Sequence, residues 1–159
     1  MTAKSPDEIE DALVGTYKLV EVKTTMLDTG ETIINKHNGF VMYGHDGRMM
    51  AMIRRDVRPK PISIGKATDQ ECLELFRSMV AYGGTYKFDG TTVEHHIDIS
   101  LNETWTGTTQ VRDVECDGSR LILTTRPHPS PFDGKMVTAT LMWERLANRK
   151  TASGQKLTR

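Results

Sequence analysis

The sequence is poor in the features that mark disulfide-stabilised scaffolds, membrane spans and charged binding surfaces. It has only two cysteines and 6% aromatic residues in 159 residues, and no apolar run approaches the roughly 20 residues of a spanning helix. Its 21 Lys and Arg balance its 21 Asp and Glu, so nothing indicates attraction to nucleic acid, anionic lipid or acidic partners. We expect one globular domain that binds neither nucleic acid nor membrane.

Catalytic and cofactor-binding motifs are also missing. There is no Gly-x-Ser-x-Gly, neither cysteine has a catalytic signature, and no glycine-rich phosphate loop precedes a helix. We therefore expect no nucleotide or other cofactor and no metal. Cys72 and Cys116 lie far apart without metal-type spacing, which predicts two reduced, mostly buried thiols. The N-terminus has early acidic residues and no apolar signal core, so the cytoplasm is the expected compartment.

Hairpin turns are the commonest local signal that is present. Asp-Gly and Asn-Gly pairs supply the positive φ angles of tight hairpins, and they recur at Asp28-Thr29-Gly30, Asn38-Gly39, Asp46-Gly47, Asp89-Gly90, Asp117-Gly118 and Asp133-Gly134. The segments between them are rich in Thr, Val, Ile and aromatic residues. They predict about eight strands, at residues 15–24, 39–44, 48–55, 84–88, 92–101, 106–116, 120–126 and 136–146.

Two capping boxes interrupt this pattern. Ser5-Pro6-Asp7-Glu8 predicts a short N-terminal helical turn, and Thr68-Asp69-Gln70-Glu71 predicts an inserted helix over about 68–82 that Gly83-Gly84 ends. We expect the apolar stripe of this helix to pack in the core, with a lid over a barrel mouth as the alternative. The stripe comprises Cys72, Leu73, Leu75, Phe76, Met79 and Val80.

Eight strands in an up-and-down antiparallel meander lose their exposed edges by closing into a barrel. A barrel of this size is filled by side chains or holds one small ligand. The expected fold is therefore all-β: a single barrel domain over residues 1–146 with one inserted helix, followed by a flexible basic tail over 147–159.

Seven short segments, in this order, resemble the small bacterial lipocalin-like domain family over about residues 13–146. They are Gly15-Thr-Tyr-Lys-Leu-Val, Tyr43-Gly-His-Asp-Gly-Arg-Met-Met, Arg58-Pro59, Ala81-Tyr-Gly-Gly-Thr-Tyr, Val93-Glu-His-His-Ile-Asp-Ile-Ser, Trp105-Thr-Gly-Thr-Thr-Gln-Val-Arg and Leu141-Met-Trp-Glu-Arg. The resemblance implies a calycin-type β-barrel with a small-molecule pocket, in a set that includes carriers and cofactor-free isomerases, cyclases and lyases. It also implies that Arg145 packs over Tyr17, which stands where lipocalins carry tryptophan.

Period-two alternation predicts which side chains face the interior. On the strand from Thr92, the odd positions up to Leu101 are apolar except for His95, and the even positions are polar. His95 is therefore expected to point inward and His96 outward. The same reasoning turns Tyr86 and Phe88 inward on one neighbouring strand, and Arg112, Val114 and Cys116 on the other. It does not orient the strands around Tyr43 and Met49 to Ile53, which are apolar on both faces and whose methionines suit an adaptable lining.

Tyr86, His95 and Arg112 are thus expected to converge in the lumen. A lone inward histidine is most often a core residue bonded to a neighbour, and ligand contact or acid–base chemistry is the alternative. Burying a cation without a partner is costly, so Arg112 is expected to meet either a protein carboxylate or carbonyl group, or an oxygen of a ligand.

Two functions follow from this lumen. In the first, the barrel binds a small, largely apolar molecule with a carbonyl or anionic end, through Tyr43, Met52, Phe76, Met79, Tyr86, Phe88, His95, Ile97 and Arg112. In the second, it is a cofactor-independent isomerase, cyclase or lyase in which His95 moves a proton and Arg112 or Tyr86 stabilises an oxyanion. A barrel filled by its own side chains is a weaker third option. The oligomeric state stays open, with a homodimer among the options.

Overall fold

A computed structural model describes residues 3–149. Helix α1 (Pro6–Asp11) precedes the sheet, helix α2 (Asp69–Arg77) is inserted midway, and short 3-10 turns lie at Ile64–Lys66 and Glu103–Trp105. The strands are β1 (Gly15–Met26), β2 (Thr32–Asn35), β3 (Asn38–Tyr43), β4 (Arg48–Arg54), β5 (Met79–Phe88), β6 (Thr92–Ser100), β7 (Thr109–Cys116), β8 (Arg120–Thr125), β9 (His128–Pro129) and β10 (Met136–Arg145).

Eight of the strands form a closed ring. Each of β3 to β7 pairs with the next strand along the chain, β3 also pairs with β1, β8 with β10, and β1 with β10. The short strands β2 and β9 extend the sheet beside β1 and β10. The predicted eight-stranded antiparallel barrel is therefore confirmed.

Five of the six predicted turn sites hold a glycine with φ between 73° and 102°, namely Gly30, Gly47, Gly90, Gly118 and Gly134. The sixth prediction is wrong, because Asn38 and Gly39 begin strand β3 instead of forming a turn. Glycine is needed at position 39 for another reason: a Cβ there would lie 2.5 Å from the carbonyl oxygen of Met52 on β4.

Both capping boxes are present, with Ser5 and Glu8 at α1 and Thr68 and Glu71 at α2. Helix α2 ends at Arg77, earlier than predicted, because the residues from Met79 onward pair with β4 as strand β5. The expectation that its apolar stripe packs in the core is wrong for the residues that lie on α2, whereas Val80, which lies on β5, packs against the core. No residue of α2 is buried, and Phe76 is half exposed at the barrel mouth.

The cysteines are free thiols, but the prediction that they are buried is wrong. Cys72 lies on the exposed helix α2, and Cys116 is exposed at the last position of β7. At that position the strand runs into the Asp117-Gly118 turn at the end of the barrel, where an inward-facing position no longer guarantees burial.

A bulge in β6 changes which of its side chains face inward. Gly84 of β5 pairs with Ile97, and its neighbour Gly83 pairs with Ile99, so Asp98 is an extra residue. One extra residue reverses the alternation beyond it. Val93, His95 and Ile97 are buried as predicted, whereas the inward prediction for Ile99 and Leu101 is wrong because both are exposed.

The structure also orients the strands that alternation left undecided. Val41, Tyr43, Met49 and Ala51 are buried in the barrel interior. The large apolar side chains between them face outward and are exposed, namely Phe40, Met42, Met50 and Met52. The methionines of this region therefore line the outer surface more than the lumen.

The end of the barrel beside α1 is closed. Leu13 is fully buried, and its carbonyl oxygen accepts a hydrogen bond of 2.9 Å from the Tyr17 hydroxyl. The guanidinium of Arg145 lies 4.7 Å from the centre of the Tyr17 ring and donates to the carbonyl oxygens of Ala12, Val14 and Gly118. The packing of Arg145 over Tyr17, implied by the family resemblance, is thus present.

Neither helix within residues 3–149 is long and apolar enough to cross a membrane. The predicted basic tail lies outside the described residues from position 150 onward.

Candidate functional site

The barrel interior contains a cavity of about 100 Å³. Its wall is largely apolar, and Tyr82, His95, Arg112 and Trp143 are among its polar-bearing side chains. The aliphatic part comprises Val22, Val41, Ala51, Ile53, Val80, Leu123, Val137, Ala139 and Leu141. A mostly apolar concave surface with a few polar groups is typical of small-molecule sites.

A larger space of about 650 Å³ adjoins the cavity at the end of the barrel away from α1. It lies between the C-terminal end of α2, the 102–105 segment and the 128–134 segment. The two spaces share the lining residues Val80, Trp105, His128, Ser130, Pro131 and Phe132. The larger space is therefore the mouth of the lumen.

An imidazole bonded to two phenols lies at the centre of the barrel. His95 is 1% exposed, and the Tyr43 hydroxyl from β3 is 2.8 Å from its Nε2 atom. The Tyr82 hydroxyl from β5 is 3.1 Å from its Nδ1 atom. Inward alternation on three strands brings these side chains together, and both ring nitrogens of His95 are occupied.

Burial controls the protonation of this trio. Desolvation, aided by the nearby charge of Arg112, lowers the pKa of His95 to about 3, so the imidazole is neutral near pH 7. Desolvation also raises the pKa of the Tyr43 and Tyr82 hydroxyls. The three side chains therefore form a neutral hydrogen-bonded chain.

Arg112 is a half-buried cation on β7 that lines the same cavity. Its guanidinium donates to the side-chain oxygen of Gln110 at 2.5 Å and to the carbonyl oxygen of Val111 at 3.1 Å. Among residues 3–149, no carboxylate lies within 4.0 Å of it. The acceptors are thus neutral protein groups, which satisfy hydrogen bonds but leave the charge uncompensated.

Two side chains that border the cavity each have a buried nitrogen without a hydrogen-bond partner in the described part of the chain. These atoms are Nδ1 of His37 and Nε1 of Trp143. The indole of Trp143 is 1% exposed and packs in the core. His37 borders the cavity, and its ring contacts Phe132 edge-on.

Of the predicted site residues, the structure brings together Tyr43, His95 and Arg112. Tyr86 is buried too, but its hydroxyl donates to the carbonyl oxygen of Gly44 at 2.9 Å, and the side chain does not border the cavity. The expected convergence of Tyr86 with His95 and Arg112 is therefore wrong, because the phenol is used to fasten the β3–β4 turn.

The other predicted ligand contacts are dispersed. Ile97 is buried in the core, and Phe76 and Met79 line the mouth. Phe88 borders a surface depression beside α1, outside the lumen. Met52 lies on the outer surface, so its placement in the lining is wrong, since β4 turns Ala51 inward instead.

Sequence reasoning missed Tyr82, Phe132 and two histidines that border the cavity, His37 and His128. The position of Tyr82 on a strand was not predicted, because residues 79–82 continue the helical spacing of α2. The alternation of Tyr82, Gly84, Tyr86 and Phe88 was the signal that could have placed it on a strand. Nothing in the local sequence around Phe132 indicates that its loop returns to the lumen.

A closed eight-stranded antiparallel barrel around an apolar lumen is the architecture of lipocalin-like proteins. The family model described as "Lipocalin-like domain" matches residues 14–146. The chain therefore belongs to the lipocalin-like domain family, as its sequence segments suggested. No curated protein matches the chain. The fold of this family suggests binding of small hydrophobic molecules.

Proposed function

We propose that this protein binds a small, largely apolar molecule with an anionic or carbonyl end inside the barrel. The observation that carries the proposal is Arg112, a half-buried cation that borders the cavity without a carboxylate partner in the described chain. We further infer that the protein acts in the cytoplasm, an inference that rests on the sequence alone.

The energetics of burial support a ligand with this polarity. A charge held in a low-dielectric cavity is costly unless an opposite charge accompanies it. An anionic oxygen of a ligand would supply that charge and would accept hydrogen bonds from the planar guanidinium. The aliphatic wall would cover the remainder of the molecule.

The placement of His95 weighs against the enzymatic alternative in which this histidine transfers a proton. Both ring nitrogens are bonded to tyrosine hydroxyls, and burial lowers the pKa of the imidazole to about 3. A general base must reach its substrate and should have a pKa near the working pH. Tyr86, the alternative oxyanion donor, is bonded to Gly44. Binding is therefore the function that the geometry supports best.

The test compares Arg112→Met with Arg120→Met, which removes an exposed arginine from the neighbouring strand β8. The probe is 2-naphthoate, with binding followed by quenching of the fluorescence of Trp105 and Trp143, which both border the lumen. Loss of a charge-assisted hydrogen bond is worth about 1.5–3 kcal/mol, so we expect Arg112→Met to raise Kd at least tenfold and Arg120→Met to leave it unchanged. Equal Kd values for the two folded variants would refute the proposal.

A further inference from the structure

A neutral imidazole bonded to two hydroxyls permits two arrangements of protons. It has one N–H donor and one bare nitrogen acceptor. Either Tyr43 donates to Nε2 and Nδ1–H donates to Tyr82, or Tyr82 donates to Nδ1 and Nε2–H donates to Tyr43. The two arrangements differ in which tyrosine keeps a hydroxyl proton for another partner.

The surroundings of the two hydroxyls favour the first arrangement. Tyr43 is 2% exposed and does not border the cavity, and His95 is the hydrogen-bond partner of its hydroxyl in the described structure. If Nε2 carried the proton, the Tyr43 hydroxyl would have a buried proton without an acceptor. Buried donors without a partner are rare in folded proteins. Tyr43 therefore donates to Nε2, and His95 carries its proton on Nδ1.

The first arrangement leaves the hydroxyl proton of Tyr82 unused. The oxygen of Tyr82 accepts from Nδ1, and no acceptor for its own proton is present in the part of the chain that the structure describes. Tyr82 is only 9% exposed and borders the cavity. Its hydroxyl is thus a buried donor on a side chain that borders the cavity.

Arg112 is a charged neighbour of this donor and borders the same cavity. Burial raises the pKa of the Tyr82 phenol, and the positive charge of Arg112 acts in the opposite direction. A phenol O–H and a guanidinium N–H beside one cavity are both donors. The group that satisfies both, and also compensates the charge, is an anionic oxygen with no proton of its own.

We propose that Tyr82 is the hydrogen-bond donor to a carboxylate of the ligand, that Arg112 is its charged partner, and that Tyr43 and His95 are positioning residues that direct the Tyr82 hydroxyl into the cavity. This proposal rests on the proposed function and deepens it, because it assigns the ligand to the class of small apolar carboxylic acids. It also replaces Tyr86 with Tyr82 as the phenol of the site.

The test compares Tyr82→Phe with Tyr86→Phe. Each variant removes one tyrosine hydroxyl from β5, but only Tyr82 borders the cavity, whereas the Tyr86 hydroxyl is bonded to the carbonyl oxygen of Gly44. For 2-naphthoate we expect Tyr82→Phe to raise Kd about tenfold and Tyr86→Phe to change it less than twofold. For the neutral analogue 2-naphthalenemethanol, the loss in Tyr82→Phe should be smaller, because the charged acceptor is absent. Equal losses of 2-naphthoate affinity in the two variants would show that the hydroxyls act through the fold alone.

The position of the proton on His95, which sets the direction of both hydrogen bonds, can be measured without a ligand and without a variant. Long-range ¹H–¹⁵N correlation spectra of the wild-type protein report which nitrogen of His95 carries the proton. We expect the proton on Nδ1, and a proton on Nε2 would overturn the assignment of Tyr82 as the outward donor. A wild-type protein that shows the Nδ1 tautomer but does not bind 2-naphthoate would instead refute the proposed function and the ligand role of Tyr82 with it.

Discussion

At the scale of single residues, the buried imidazole of His95 couples protonation to stability. Tyr43 and Tyr82 face its two nitrogens, and the charges of Arg112 and, to a smaller extent, His96 act on it, so every nearby influence opposes a positive charge on the ring. Protonating the ring would reverse the hydrogen bond to Tyr43, since a charged imidazole has two donors and no acceptor, and would leave the buried Tyr43 hydroxyl proton without an acceptor.

We expect the free energy of unfolding to fall as the pH is lowered from about 6.5 towards 4.5. The folded-state pKa of His95 is about 3 and its ordinary value is 6.5, so between these values the unfolded chain binds the extra proton. The expected slope is about 1.4 kcal/mol per pH unit for one such group. His37 and His128 contribute to the pH dependence with the same sign, because burial also lowers their pKa values.

Urea unfolding at pH 6.5, 5.5 and 4.5 measures this dependence. In His95→Gln the slope should be shallower by about one proton, whereas in His96→Gln, which removes the partly exposed neighbour, it should match the wild type. This pH range lies above the ordinary pKa of the carboxyl groups of Asp89 and Asp98, whose hydrogen bonds lower their pKa further. Identical slopes in all three proteins would contradict the burial of a neutral His95.

At the scale of strands, the close contact between β5 and β6 depends on Gly84. A Cβ at this position would overlap the carbonyl oxygen of His96 and lie 3.0 Å from the Cα of Ile97. The bulge at Asp98 begins at the same place, so the glycine permits β6 to kink against β5.

Gly84→Ala should therefore destabilise the protein by about 3 kcal/mol, because the neighbour that must move is backbone and not a flexible side chain. Gly65→Ala is the matched control, since a Cβ at residue 65 meets no atom within 4 Å and the residue has no positive φ. We expect the control to change the free energy of unfolding by less than about 0.5 kcal/mol. Equal midpoints of thermal unfolding for the two variants would contradict this account of the bulge.

Strand patterns in the sequence predict the barrel well but its site only in part. The Asp-Gly turns and the alternation around His95 are local signals, and they place strands and inward faces correctly up to Ile97. Tyr82 and Ile99 were assigned wrongly because pairing partners decide their structure: β4 extends β5 into the helical pattern, and the bulge reverses β6. The hydrogen-bond partners of His95 are residues 43 and 82, and local sequence patterns do not indicate contacts between positions so far apart.

At the scale of the whole molecule, Arg145 holds the first and last strands of the ring together. It donates to carbonyl groups of Ala12 and Val14, which precede β1, and to that of Gly118 in the β7–β8 turn. Its Nη2 atom also lies 2.5 Å from the Tyr17 hydroxyl. One planar guanidinium thus satisfies several acceptors at the closed end of the barrel.

We expect Arg145→Met to lower the free energy of unfolding by about 3 kcal/mol, because it leaves partly buried acceptors without donors. Arg145→Lys should recover less than half of this loss, since a lysine ammonium keeps the charge but cannot reach acceptors in several directions at once. Chemical denaturation followed by tryptophan fluorescence measures both variants. Full stability in Arg145→Lys would show that charge, and not the shape of the guanidinium, secures the closed end.

The pairing of β1 with β10 also determines when the molecule can fold during its synthesis. Tyr17 and Arg145 are 128 positions apart, and the ring cannot close before the last strand has emerged from the ribosome. At roughly 5–20 residues per second, translation of that interval takes about ten seconds. During this time, one edge of β1 and the apolar inner face of the unfinished sheet lack their partners. Chains dominated by such distant contacts fold slowly and are prone to aggregate, so the nascent protein should depend on chaperones more than its small size suggests.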